Sequence, residues 1–272
     1  MSFTEIAILT ACAAAAGAVN ALAGGGMLVA YPVLVAFGLS PIAGNATATV
    51  ALLAGGIGAQ LGYRKEMKGT APYLKGLVLP CIAGGIAGAF LLLKTPPRDF
   101  AALVPGLVLL ATFLFAAQAP LTRLALQIHA RLTGGDVVVA ESNAGPTAPT
   151  AMLLGVQFLV SIYIGYFGAG AGAIMLASFG FAGLVNIHQM NGLKLWCGML
   201  TNITAAVVFS AQPGLVHWPL VIVMTCGSLI GGYASSRIAQ RVSDKSVRLT
   251  IVLIGVAMAA WLAVSALRSR SG

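Results

Sequence analysis

Lys194 stands inside the apolar stretch MNGLKLWCGMLTNITAAVVF (residues 190–209), with no acidic residue within ten positions on either side. A cation buried in such a stretch costs several kcal/mol unless something compensates it. Asn191 lies three residues earlier, on the same face of a helix. An ammonium and a carboxamide side by side suit an oxyanion, so an anionic ligand is the expected partner. The alternative is that Lys194 snorkels to the membrane surface.

Two glycine runs point to the same chemistry. AGGGMLVAYPVL (23–34) and GAGAGAIMLASF (168–179) each place glycines at the start of a short apolar segment. Glycines there serve close helix packing or break the helix. In the second case the following half-helix presents free N–H groups and a positive dipole end, which bind anions without a charged side chain. Pro32, poorly suited to a straight helix interior, favours the break. The candidate half-helix ends are Gly24, Gly25 and Gly26 in the first run and Gly170 and Gly172 in the second. GNATAT (44–49) and MNGLKL (190–195) open the next segments, where Asn45, Thr47, Thr49 and Asn191 serve as pocket donors, helix caps or both. His188 and Gln189 are candidates for a proton relay or a gate, or for an interface position.

The elements that carry these residues are membrane segments. Of the 272 residues, 59% are hydrophobic and 8% charged, with mean hydropathy +0.96, against roughly 25% charged in soluble domains. Apolar runs fall near 5–23, 25–39, 43–62, 71–93 and 100–118, then near 150–167, 170–184, 190–210, 216–236 and 247–267. The short ones, 25–39 and 170–184, reach only ~22 Å as helix, less than the ~30 Å hydrocarbon core. The N-terminal run lacks a positive leader and reads as a retained segment.

A shift of 146 residues superposes Gly24 on Gly170, Gly26 on Gly172, Asn45 on Asn191, Leu74 on Leu220 and Gly85 on Gly231. Short Gly-interrupted segments in corresponding places of two halves are a sequence pointer to a transporter binding site. The expected fold is all-α and integral to the membrane: two inverted repeats of about five segments each, eight to ten spans in all, with short Gly-broken or re-entrant segments. The expected domains are a first repeat over 1–120, a cytoplasmic linker over 121–149 and a second repeat over 150–272. Arg64, Lys65 and Lys68 on one side, and Arg237, Arg241, Lys245 and Arg248 on the other, place both basic loops in the cytoplasm; Arg268 and Arg270 of the tail disagree.

Other classes lack their residues. Glu5, Glu66, Asp99, Asp136, Glu141 and Asp244 lie at ends or between apolar runs, so no intramembrane carboxylate serves as a relay or sodium ligand. No phosphate-binding GxxxxGK[ST] loop occurs, and His129, His188 and His217 are too scattered for a metal or catalytic site. Cys12, Cys81, Cys197 and Cys226 contain no CxxC pair and read as buried small hydrophobes. No enzyme activity, metal or cofactor is expected. The net charge of +9 suits a cytoplasmic membrane face rather than nucleic acid.

NALAGGGMLVAYPVLVAFGLSPIAGNATATVALLAGG (20–56), with its glycine triplet, its proline and the NATAT stretch, resembles the sulfite exporter TauE/SafE family of bacterial membrane proteins. The resemblance implies a multi-pass protein of the bacterial inner membrane that moves small sulfur anions such as sulfite, thiosulfate or organosulfonates. The second copy departs from the motif, with GAGAG for the triplet and Ser178 for the proline, so the two half-sites should differ. The implied reading is a secondary transporter working by alternating access, most simply an exporter. Its partners would be a small anion, the bilayer and, as an open possibility, further copies of the chain. An anion channel and a non-transporting membrane scaffold are the alternatives.

Overall fold

The computed structural model describes residues 2–62, 70–133, 149–184, 186–238, and 252, 253, 255–257, 259 and 260. The basic residues used for orientation at 64, 65, 68, 241, 245, 248, 268 and 270 lie outside them, as does most of the expected linker. Among the described residues the elements are all α-helices: α1 (Phe3–Ala23), α2 (Met27–Ala36), α3 (Pro41–Gly62), α4 (Ala71–Lys94), α5 (Pro97–Thr133), α6 (Ala151–Tyr166), α7 (Ala171–Phe181), α8 (Ile187–Ser210) and α9 (Trp218–Ile238). Six of them, α1, α3, α4, α5, α8 and α9, are long and apolar enough to cross a membrane. This is an integral membrane protein, as its composition requires.

Local sequence sets the helix ends. Ser2 and Glu5 form a capping box at the start of α1. The Asn186 carboxamide accepts the N–H groups of His188 and Gln189 at the start of α8. The two short helices end alike. Leu39 N–H bonds to Leu34 O and Gly38 N–H to Val35 O after α2, while Leu184 N–H bonds to Phe179 O and Gly183 N–H to Gly180 O after α7. Both are Schellman closures, at matching places in the two halves. Pro32 lies inside α2, the shorter of the pair. The fifth helix runs without a break through Pro105 and Pro120 to Thr133, across the boundary expected at residue 120.

Helices pack across the halves of the sequence. α9 lies against α1 and α3, and α4 lies against α6 and α8. Each halfway exchange puts the fourth helix of one half with the first and third of the other. Small residues make both contacts close. A side chain at Gly17, Gly55 or Gly231 would run into the backbones of Ser228, Ser228 and Ala14 respectively. In the other trio, a side chain at Gly84 or Gly165 would collide with Phe158 O or Gly85 O. Hydroxyls supplement the fit: Ser228 Oγ donates to Ala51 O at 2.9 Å, and Ser235 Oγ donates to Ala18 O at 3.1 Å. The result is two tight three-helix bundles, α1–α3–α9 and α4–α6–α8, with the short helices α2 and α7 beside their junction.

Candidate anion site between the two bundles

The glycine runs meet at the junction. Gly24, which ends α1, and Gly170, which starts α7, both adopt the left-handed conformation, at φ 72° and 75°. L-residues with a Cβ pay roughly 1–2 kcal/mol there, which is why glycine is needed. Gly170 N–H points at Gly24 O at 3.4 Å, so the two chain breaks touch backbone to backbone. A Cβ on Gly24 would sit 3.6 Å from the Gly172 Cα. The helix breaks expected at these runs are thus present, between Ala23 and Met27 and between Tyr166 and Ala171.

Beside this contact lies a cavity of about 60 Å³, room for a few waters or a small ion. Its walls come from α1, α2 and α3 of the first half and from α6, α7 and α8 of the second. The polar lining is Asn20, Thr49, Lys194 and Asn202, with glycine backbone at Gly24, Gly168 and Gly172. Lys194 is only 3% exposed, and its ammonium donates to the Asn191 carboxamide oxygen at 2.9 Å. A side chain at Gly168 would come within 3.9 Å of the Asn202 carboxamide oxygen, so that amide lies over the second glycine turn. Ala171 and Gly172, in the first turn of α7, also face the cavity. The first N–H groups of a helix have no partner within it, so this end offers donors and a positive dipole. The first turn of α2 is closed by Leu28, Val29 and Ala30 N–H bonds to Gly25 O and Gly26 O. The first turn of α7 is closed in part as well, by the Ala173 N–H bond to Gly170 O.

Of the residues singled out in the sequence, Gly24, Thr49, Gly172 and Lys194 line the cavity, and Asn191 holds the lysine. Others serve the frame around it. Asn45, 1% exposed, donates its amide to Tyr166 O at 3.0 Å, satisfying a carbonyl at the end of α6. Thr47 Oγ accepts the His217 N–H at 3.1 Å, just before α9. Both act as caps, for helices of the opposite half. Gly25 packs near Val19, Leu28 and Phe115; Gly26 lies against Ala16 O; Gly170 is pressed onto Ala111 of α5. His188 is exposed and Gln189 half-buried at the start of α8, away from the cavity. Asn20 and Asn202 were passed over, and Thr49 was one candidate among several. Asn202 follows Lys194 by eight residues and Thr49 follows Asn45 by four, so helical register carried a signal for both.

A small, mostly apolar cavity with a few polar side chains, beside paired helix breaks in an all-α membrane protein, is the kind of site that transporter folds build. The chain belongs to the Sulfite exporter TauE/SafE family, whose model matches residues 9–262. It is 26% identical over 259 residues to the "Probable membrane transporter protein ORF9" of Sinorhizobium sp, covering 95% of this chain and 92% of that one. It is 25% identical over 257 residues to the "Probable membrane transporter protein YfcA" of Escherichia coli (strain K12), covering 94% of this chain and 89% of that one. No solved structure matches it. The protein is a multi-pass membrane transporter.

Proposed function

We propose that the protein is a secondary transporter that exports small sulfur-containing anions, sulfite or organosulfonates, across a bacterial inner membrane by alternating access. The observation that carries this reading is the gathering of Lys194, Asn20, Asn202 and Thr49 with the first turn of α7 around one small cavity, the Lys194 ammonium donating to Asn191 and the Thr49 hydroxyl to Asn45 O. In a low-dielectric interior, a fixed cation and oriented donors attract an anion far more strongly than in water. The family name supplies the sulfur oxyanion. An inside-negative potential drives a monoanion outward at ~2.3 kcal/mol per 100 mV, so export needs no coupling ion. Asn191 holds Lys194, Asn45 and Thr47 cap helices of the surrounding frame, and His188 and Gln189 lie at the start of α8, away from the cavity.

Alternating access requires two bodies moving about the cavity. In this reading the bodies are the exchanged bundles α1–α3–α9 and α4–α6–α8, with α2 and α7 between, a choice that their close glycine contacts support. The test is flux of radiolabelled sulfite from proteoliposomes. Saturable flux, competed by an organosulfonate and lost in Lys194→Met, supports the reading. Non-saturating flux at channel-like rates, or flux untouched by the substitution, refutes it.

A further inference from the structure

A second cluster of polar side chains lies away from the cavity, inside the α4–α6–α8 bundle. Cys81 on α4 and Cys197 on α8 are both fully buried and belong to one packed apolar cluster. Gln157 on α6 donates Nε2 to Cys81 Sγ at 3.6 Å and to Ser161 Oγ at 3.0 Å. Thr201 Oγ donates to Ser161 Oγ at 3.2 Å. The Gln157 carboxamide oxygen is buried with no hydrogen-bond partner. A purely structural contact does not need this arrangement, since two apolar residues would fill the space without leaving an amide oxygen unpaired.

The backbone around the pair is close as well. Gly85 follows Cys81 by one helical turn, Thr201 follows Cys197 by one turn, and a Cβ on Gly85 would sit 2.9 Å from Thr201 O. The two helices thus touch one turn from the cysteines, the close approach that a disulfide between them requires.

We propose that Cys81 and Cys197 form an oxidisable dithiol, a modification site whose disulfide staples α4 of the first half to α8 of the second. The oxidant is a small uncharged peroxide, able to enter a membrane protein. Cys81 is the attacking sulfur, the one that receives the Gln157 amide. Its sulfur takes one peroxide oxygen, the O–O bond breaks, and the thiol proton leaves with the other oxygen as water. Cys197 sulfur then displaces the hydroxyl from the Cys81 sulfenic acid. The S–S bond forms and a second water carries off the Cys197 proton. Two thiols and one peroxide give one disulfide and two waters. Gln157 is a positioning residue in this chemistry.

The experiment uses the full chain in detergent with Cys12→Ser and Cys226→Ser, so that only the pair remains. After hydrogen peroxide, the protein is unfolded and alkylated with a maleimide, with and without dithiothreitol. The expected result is loss of both alkylation sites, restored by dithiothreitol, with a rise in unfolding temperature of the oxidised form. In Gln157→Leu the disulfide should form several-fold more slowly, while the reduced form keeps its two alkylatable thiols. Two thiols that remain alkylatable after peroxide, or that oxidise separately without dithiothreitol recovery, overturn the proposal. An unchanged rate in Gln157→Leu overturns the role of the amide. Cys81→Ser, which leaves one thiol, should stay alkylatable at Cys197; irreversible loss of that label identifies over-oxidation instead and also counts against the pair. None of these readouts involves anion transport, so the result stands apart from the proposed function.

Discussion

At the scale of single residues, the structure divides one set of polar side chains into two jobs. Asn45 and Thr47 cap helices of the opposite half, whereas Asn202 and Thr49 face the cavity. The two jobs predict opposite signatures. Asn45→Leu leaves the Tyr166 carbonyl buried without its donor and should cost about 1–3 kcal/mol of stability, measured by unfolding in detergent, with anion affinity unchanged. Asn202→Leu should leave stability within experimental error and weaken anion affinity about tenfold, the equivalent of ~1.4 kcal/mol, measured by titration of the anion. A reversal of these signatures would exchange the roles. Lys194 and Asn191 were legible from sequence because a cation in an apolar run is rare and its neighbour at three residues must share its face. The division of labour between Asn45 and Thr49 was not legible. Both are polar, both lie on α3, and only the position of α6 decides which one turns toward the cavity.

At the scale of elements, the two short helices and their glycine starts follow from the chain itself, because apolar runs of that length cannot span the hydrocarbon and glycine ends helices. The structure adds that the matching glycines are in different surroundings. A Cβ on Gly24 meets nothing closer than 3.6 Å, while one on Gly170 would come 2.7 Å from Ala111 backbone atoms. Gly24→Ala should therefore cost only the left-handed strain, about 1–2 kcal/mol. Gly170→Ala adds a backbone collision and should cost more, as read by unfolding temperature at equal protein concentration. Equal losses would mean that α5 yields. The partner exchange between helices was hidden from sequence for a physical reason: lipid tails are as apolar as a helix interface, so membrane helices lack the two-faced pattern that marks the buried side of a soluble helix. The small-residue surfaces of Gly17, Gly84, Gly85 and Gly231 carry the packing instead, and glycines are too common here to show which pair with which.

At the scale of the whole molecule, the proposed alternating access takes its moving bodies from the exchange. If α4, α6 and α8 travel as one body, the Cys81–Cys197 disulfide joins residues within that body and leaves sulfite flux unchanged. A staple between the bundles should arrest flux. Ala59 on α3 and Leu195 on α8 share one small apolar cluster, and Ala59→Cys with Leu195→Cys, in a chain with the native cysteines replaced by serine, supplies that staple. Flux that stops with the first staple and persists with the second would return the motion to the sequence halves. The overall plan was legible in part: the composition requires a membrane protein, and of the corresponding elements that the shift of 146 residues predicts, the glycine turns at Gly24 and Gly170 keep that spacing while the two Schellman closures lie one residue off it. Helix α5 runs on through Pro105 and Pro120 to Thr133, into the polar-leaning stretch that the sequence reads as a linker.

The central claim is that the cavity holding Lys194 binds a sulfur oxyanion. The most direct measurement is thermal unfolding of the purified protein in detergent, for wild type and Lys194→Met, against sulfite, thiosulfate, sulfoacetate, taurine, sulfate, acetate and chloride. An anion at a hundred times its dissociation constant should add ~2.7 kcal/mol to the folded state. The expected result is selective stabilisation of the wild type by sulfite or a sulfonate, absent in Lys194→Met. Stabilisation of both proteins alike would place the anion away from Lys194, and no response to any of the seven would contradict the account.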